Sequence, residues 1–142
     1  MRESALALRF TLAVATASIL LGAAGATHAA ACGEGLRPAM TAQLFFGRSA
    51  GTEGEVTDAD WRAFVDAEVT PRFPDGLTVS DVYGQWRSPA GDFVHEDTKA
   101  VFIVLSGRTD ERQRLELIRS AYKRRFHQQS VLLVEQRACV AF

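Results

Sequence analysis

Cysteine is scarce in this sequence, and neither sign of charge dominates it. The 142 residues include two cysteines, too few for a disulfide-rich mini-protein or a four-thiolate zinc site. Sixteen Lys and Arg stand against 17 Asp and Glu, for a formal net charge of −1. This balance indicates neither a charged disordered tail nor a strongly basic nucleic-acid-binding surface. The length is that of one domain.

Motifs of cofactor and catalytic sites are also missing. The sequence contains no P-loop, no Gly-x-Gly-x-x-Gly fingerprint and no Gly-x-Ser-x-Gly. No spacing of His, Cys and carboxylates resembles a metal site. We therefore expect no cofactor and no metal, and the residue patterns assign no catalytic residue.

Residues 1–31 have the layout of a secretory signal peptide. Two arginines begin it, residues 10–26 are apolar and small, and Ala29-Ala30-Ala31 offers the small side chains that a signal peptidase accepts. A transmembrane anchor needs about 20 consecutive apolar residues, whereas Thr and Ser interrupt this stretch. We expect an exported protein, periplasmic or extracellular, whose domain spans residues 32–142 and keeps no membrane segment after processing.

The two cysteines, Cys32 and Cys139, lie near opposite ends of the expected mature chain. In an oxidising compartment such a pair favours a disulfide. A lipid anchor at Cys32 is the alternative, because bacterial lipoproteins are cleaved just before a cysteine. The position three residues before it holds Ala29 rather than a large aliphatic residue. A free Cys32 also stays open.

The first half of the expected domain contains a strand followed by a helix. An apolar run predicts a strand over residues 41–47, after a loop at residues 33–37. Thr57, with Asp60 three residues later, approximates a capping box. Pro71 ends the helix that follows. Its apolar face is formed by Trp61, Phe64, Val65 and Val69.

A turn over residues 73–76 leads to a predicted hairpin. Its strands cover residues 77–86 and 93–105, with a loop at 88–91. The unbroken apolar run 100–105 indicates a strand that is buried on both faces.

A second helix, capped by Ser106 or Thr109, is predicted to run to about Phe126, and a last strand covers residues 130–140. The basic run at 123–125 falls in the last helical turn, where cations complement the helix dipole.

The order β-α-β-β-α-β predicts a ferredoxin-like α+β sandwich. Its four-stranded antiparallel sheet carries both helices on one face, and strands one and three are central. Phe45 alternates with Leu44 and Phe46, and Phe102 alternates with Val101 and Ile103, so each central strand is expected to place an aromatic residue on each face, including the open one. An apolar open face indicates an interaction surface: a homodimer, a small ligand or a protein partner. A cover made by the N-terminal segment and the loops is the alternative.

Four polar-aromatic residues of the hairpin are the candidate ligand-binding residues. Trp86 and Tyr83 offer rings, Arg87 an anion partner and His95 a base. Each also has a structural interpretation, because Trp86 could fill the core while Arg87 is solvated. Alternation along the strand places His95 and Glu96 on opposite faces.

Several motifs along the chain carry a combined resemblance: Leu44-Phe45-Phe46-Gly47-Arg48, Trp61 with Phe64, Val69-Thr70-Pro71-Arg72-Phe73-Pro74-Asp75-Gly76-Leu77-Thr78-Val79, Gly84-Gln85-Trp86-Arg87, Ala121-Tyr122-Lys123-Arg124-Arg125-Phe126, Ser130-Val131-Leu132 and Ala138-Cys139-Val140-Ala141-Phe142. Together they resemble a family of small secreted bacterial proteins catalogued only as a domain of unknown function (family 3574). The resemblance covers about residues 32–142 and implies an exported bacterial protein, without implying an activity or catalytic residues. Members of that family often have Gly where His127 stands.

Two functions from different classes follow. The first is an exported envelope domain that binds a small ligand or a protein through the open sheet face. The alternative is a cofactor-poor enzyme of the dimeric ferredoxin-like barrel type, with a pocket around Tyr83, Trp86, Arg87 and His95. That alternative requires those side chains to converge on one cavity. A purely structural component is a third interpretation.

Overall fold

The structure is a computed structural model that describes residues 32–49 and 54–142. The predicted signal peptide, residues 1–31, lies outside the described residues, as do residues 50–53 between the first predicted strand and the first predicted helix. Within the described part of the chain, no helix is long and apolar enough to cross a membrane.

The described residues form four strands and two helices in the predicted order. The first helix continues as a π-helical turn over Val65–Val69, so it ends just before Pro71 as expected. The elements are β1 (Arg37–Gly47), α1 (Asp58–Phe64), β2 (Thr78–Arg87), β3 (Phe93–Val104), α2 (Glu111–Arg125) and β4 (Leu132–Val140).

The four strands make one sheet in the order β2-β3-β1-β4, and every neighbouring pair is antiparallel. The two strands with the densest apolar runs, β1 and β3, are central. The predicted ferredoxin-like α+β fold is therefore confirmed.

Both helices pack against one face of the sheet. On β1 this face carries Leu44 and Phe46, which are fully buried. The Phe46 ring lies 5.2 Å from Trp61 of α1 and 4.8 Å from Tyr122 of α2, measured between ring centroids. One aromatic cluster thus joins both helices to the central strand, and neither helix covers the other face.

Most element boundaries lie within one or two residues of the prediction, and two differences have a clear physical reason. β1 begins at Arg37, within the predicted loop, because Arg37 pairs with Val140 of β4. Asp110 is the N-cap of α2 and makes no side-chain cap hydrogen bond. Capping by Ser106 or Thr109 was wrong: the Ser106 backbone N–H and hydroxyl instead donate to the buried Glu111 carboxylate, at 2.7 and 2.8 Å.

Cys32 and Cys139 form a disulfide across 107 residues of sequence, which confirms the predicted pairing. The bond joins the segment before β1 to the end of β4. Because the Cys32 sulfur is used in this bond, it offers no thiol for a lipid anchor.

A buried lysine ties α1 to the edge of the sheet. The Lys99 ammonium lies 3.2 Å from the Asp58 carboxylate and also pairs with Asp81 of β2. The hydrogen bond to Asp81 raises the pKa of Lys99. The hydrogen bond from Lys99 lowers the pKa of Asp58. These ion pairs lie on the helix side of the sheet, since Lys99 is opposite Phe46 in the β1–β3 register.

Candidate functional site

A cavity of about 510 Å³ lies on the sheet face that the helices leave free. It occupies the end of the sheet where β1 and β2 finish and where β3 and β4 begin. The connection between α2 and β4, residues 127–130, forms one wall. This volume is within the range of small-molecule sites. We call the cavity and the residues that line it the open-face cavity.

The register of the hairpin explains which side chains reach the cavity. Gly84 is opposite Glu96, and Trp86 is opposite Val94. Since successive side chains of a strand point to opposite faces, the even-numbered residues of β2 and β3 share the open face. The apolar part of the lining consists of Phe45, Val82, Trp86, Val94 and Leu132.

A carboxylate and an indole meet in this apolar lining. The Trp86 Nε1–H donates to Glu96 Oε1 at 3.0 Å, and the Ser49 backbone N–H donates to Glu96 Oε2 at 3.4 Å. Trp86 remains 38% exposed, so part of its side chain is available to a ligand. The pair supplies both a negative charge and a planar ring at the same end of the cavity.

Two glycines make room for these polar groups. A Cβ on Gly47 would lie 2.5 Å from both Glu96 carboxylate oxygens, closer than real Cβ contacts allow. A Cβ on Gly84 would lie 3.0 Å from Thr98 Oγ1. β1 and β2, which lie on either side of β3, therefore have glycines where the Glu96 side chain lies across the sheet surface.

Hydrogen bonds tie α2 to the end of β1 and tie the wall at residues 127–130 to Ser49, which follows β1. The buried Tyr122 hydroxyl donates to the Gly47 carbonyl oxygen at 2.9 Å, and the Gln128 side-chain amide donates to the Ser49 carbonyl oxygen. Burial raises the pKa of Tyr122 far above its usual range, so its hydroxyl stays a donor. His127 has a φ of 53°, a conformation that glycine adopts most readily. This gives a physical reason for the Gly that the family resemblance places there.

The four residues predicted to bind ligand do not converge. Trp86 and Tyr83 belong to the lining of the open-face cavity, whereas Arg87 and His95 do not. The Tyr83 ring stacks on His95 with centroids 5.8 Å apart, and the Arg87 guanidinium lies 4.4 Å from the centroid of the Phe93 ring. These contacts use odd-numbered positions on the opposite face from Trp86. Tyr83 therefore belongs to the lining although its ring stacks on the other face, and of the four predicted residues only Trp86 is on the open face of the sheet.

Sequence reasoning missed Glu96, the main polar group of the cavity. It correctly separated the directions of His95 and Glu96, but it did not connect Glu96 with Trp86. The signal was the hairpin itself: with a short loop at 88–91, Arg87 pairs with Phe93, and the same register brings Glu96 beside Gly84. Within residues 32–49 and 54–142, no group of three or more His, Cys, Asp or Glu could hold a metal ion.

Comparison with known proteins gives a family and a fold. The model of a family described as "Protein of unknown function (DUF3574)" matches residues 41–142. No curated protein matches the sequence. Two similar solved structures are a phage SAM lyase in complex with S-methyl-5′-thioadenosine and a phage SAM lyase in the apo state.

The two lyase structures cover most of both chains. The complex has 16% sequence identity and a TM-score of 0.57, covering 80% of this chain and 95% of that chain. The apo structure has 17% identity and a TM-score of 0.55, covering 74% and 90%. At these identities the likeness shows the fold alone.

Proposed function

We propose that this protein is exported and binds a small organic ligand in the open-face cavity. The chain belongs to the DUF3574 family of unknown function, because the model of that family matches residues 41–142. One observation carries the proposal: a cavity of about 510 Å³ with an apolar lining and a single indole–carboxylate pair. Small-molecule sites combine an apolar lining with a few placed polar groups in this way.

The ligand class is supported by the chemistry of Trp86. Indole stacks on planar rings and adds energy beyond the area it buries. A protein of the same fold, the phage SAM lyase, is recorded with S-methyl-5′-thioadenosine, a molecule with a planar purine. A compound with a planar ring is therefore the first class to test.

Export is supported by the signal-peptide layout of residues 1–31 and by the Cys32–Cys139 disulfide. Disulfides persist in oxidising compartments and are rare in the cytosol. A periplasmic or extracellular location fits both features.

The experiment uses the two tryptophans of the chain. Trp61 is buried in the core at 4% exposure, whereas Trp86 lines the cavity. We expect titration with S-methyl-5′-thioadenosine and with a set of planar heterocycles to change the fluorescence of the disulfide-bonded protein. The Trp86→Phe variant keeps only Trp61 and should lose the change.

The indole N–H resonances of ¹⁵N-labelled protein give the independent measurement. A ligand in the cavity shifts the Trp86 resonance and leaves that of Trp61 in place. If no compound of the set moves the Trp86 signal at millimolar concentration, the proposed function is wrong.

The enzyme alternative is less well supported by the geometry. It required Tyr83, Trp86, Arg87 and His95 in one pocket, and the strands place Arg87 and His95 outside the cavity. The homodimer through the open face stays a prediction, which light scattering at high protein concentration measures. A monomer there would contradict it.

A further inference from the structure

We propose that the open-face cavity selects a small organic cation, whose positively charged group binds the Glu96 carboxylate. This inference rests on the proposed function and names its ligand class. The observation behind it is the placement of one carboxylate that forms no ion pair with a Lys or Arg of residues 32–49 or 54–142, in a lining whose other described residues include no Asp, Glu, Lys or Arg.

The described part of the lining holds one carboxylate and no Lys or Arg. That carboxylate is Glu96, and the lining also includes His127 in the wall at residues 127–130. In the part of the chain that the structure describes, its hydrogen-bond donors are the uncharged N–H groups of Trp86 and Ser49. No Lys or Arg among those residues forms an ion pair with it.

Other acidic groups next to the sheet have cationic partners. Asp58 of α1 and Asp81 of β2 share the Lys99 ammonium, and Glu135 of β4 pairs with Arg112. A carboxylate that leaves water for apolar surroundings needs a counter-charge or full hydrogen bonding. Glu96 is half-buried and has two uncharged donors, so a ligand that covers the cavity binds best when it brings a positive charge to this carboxylate.

The indole holds the carboxylate without neutralising it. Trp86 donates its N–H to Glu96 Oε1 at 3.0 Å, so the carboxylate lies at the edge of the ring, in the direction of the N–H bond. An uncharged donor leaves the negative charge of the carboxylate in place. The carboxylate itself therefore favours an amidinium, guanidinium or ammonium group over a neutral or anionic one, because a charged partner makes the stronger hydrogen bond.

The apolar lining specifies the rest of the ligand. Val82, Val94 and Leu132 offer no polar side-chain atoms, so the ligand needs an apolar or aromatic body beside its charge. A bare metal ion does not fit, because hard cations take several oxygen ligands and the lining supplies one carboxylate. The expected ligand is an organic cation small enough for about 510 Å³.

Benzamidine and benzamide test this inference, because the two probes have nearly the same shape and differ in charge. We expect benzamidine to bind the wild-type protein at least tenfold more tightly than benzamide, as followed by the Trp86 indole resonance. Glu96→Gln keeps the size and a hydrogen-bond acceptor for Trp86, and it should lower benzamidine affinity at least tenfold. Benzamide affinity should stay within twofold.

Asp97→Asn is the matched control. Asp97 is the next residue of β3, faces the other side of the sheet opposite Tyr83, and is exposed. Its substitution removes the same charge without touching the cavity, so benzamidine affinity should change less than twofold. Thermal melting checks that both variants fold.

The outcomes separate this inference from the proposed function. Equal binding of the two probes, or unchanged benzamidine binding in Glu96→Gln, overturns cation selectivity while ligand binding in the cavity stands. Failure of both probes together with every planar heterocycle overturns both proposals. An equal loss in Asp97→Asn assigns the effect to the overall charge of the protein and overturns the role of Glu96.

Discussion

At the scale of single residues, Gly47 shapes the cavity because it has no side chain. Its Cα faces the Glu96 carboxylate so closely that a methyl group would displace both oxygens. The atoms displaced are the far end of a flexible side chain, which can rotate away at little energetic cost. A substitution here should therefore move a functional group without unfolding the protein.

We expect Gly47→Ala to separate Glu96 from Trp86. The Trp86 indole N–H resonance should shift in the free protein, and benzamidine affinity should fall at least tenfold. The free energy of unfolding should change by less than about 1 kcal/mol, because Ala also removes the backbone-entropy cost of a glycine in a strand. Urea unfolding and ¹⁵N spectra measure the two effects.

Gly33→Ala is the control for this substitution. Among the described residues, a Cβ at Gly33 meets Leu36 Cδ1 alone, at 3.9 Å, which is an ordinary contact outside the cavity lining. Its spectrum and affinity should match those of the wild type. An unmoved Trp86 resonance in Gly47→Ala would show that Gly47 does not position the carboxylate.

The site was only partly predictable from residue types. Trp86 was named because rings bind ligands, and it does line the cavity. Arg87 and His95 were named for their chemistry, but strand alternation turns them to the other face. Glu96 required the hairpin register, and the wall at residues 127–130 required the packing of α2. Neither is a property of any single residue.

At the scale of elements, the start of α1 shows which local signals suffice. The Thr57 hydroxyl accepts from the Asp60 N–H at 3.1 Å, and the Thr57 N–H donates to Asp60 Oδ2 at 3.3 Å, so the predicted capping box is present. All its atoms lie within four consecutive residues. The start of α2 was not predictable, because Ser106 donates to the buried carboxylate of Glu111 instead of capping the helix.

Removal of this cap should destabilise the protein. We expect Thr57→Ala to lower the free energy of unfolding by about 1 kcal/mol at pH 7, as N-cap substitutions commonly do. Urea unfolding measures the change. Thr109→Ala is the control, since Asp110 rather than Thr109 is the N-cap of α2, and it should lie within about 0.5 kcal/mol of the wild type.

The capping box also makes the effect of Thr57→Ala on the free energy of unfolding depend on pH. Hydrogen bonds from Thr57 lower the pKa of Asp60 from its usual 3.8. A carboxyl group whose pKa is lower in the folded than in the unfolded protein stabilises the fold at any pH above its pKa in the unfolded protein. This stabilisation is lost as the pH falls through its pKa in the folded protein. The difference in the free energy of unfolding between the wild type and Thr57→Ala should therefore become smaller below pH 3.8. A difference that stays constant down to pH 2 would contradict the capping box.

At the scale of the whole molecule, the order of the elements was predictable although their ends were not. Right-handed crossovers leave few arrangements for a β-α-β-β-α-β chain, and the apolar runs at 41–47 and 100–105 identified the central strands. Residues 37–40 extend β1 beyond the predicted strand because they pair with β4. The local sequence does not indicate a pairing partner about 100 residues away.

The Cys32–Cys139 disulfide closes nearly the whole domain into one loop. Its main effect falls on the unfolded chain, whose entropy it restricts: a loop of about 100 residues corresponds to roughly 4.7 kcal/mol in the chain-entropy treatment. Set against the 5–15 kcal/mol that is typical of a domain, this is a large share. The folded sheet needs little help from the bond, because β1 and β4 pair along nine positions, from Arg37↔Val140 to Phe45↔Leu132.

We therefore expect the double variant Cys32→Ser, Cys139→Ser to fold but to unfold more easily. Its free energy of unfolding in urea should fall by about 3–5 kcal/mol, while amide chemical shifts change only near the two substituted positions and the Trp86 indole resonance stays in place. Reduction of the wild-type protein serves as the control, since it breaks the same bond without a substitution and should give the same loss. Equal unfolding midpoints for oxidised, reduced and double-variant protein would show that the bond does not constrain the unfolded chain. A displaced Trp86 resonance would instead show that the bond acts on the folded sheet and reaches the open-face cavity.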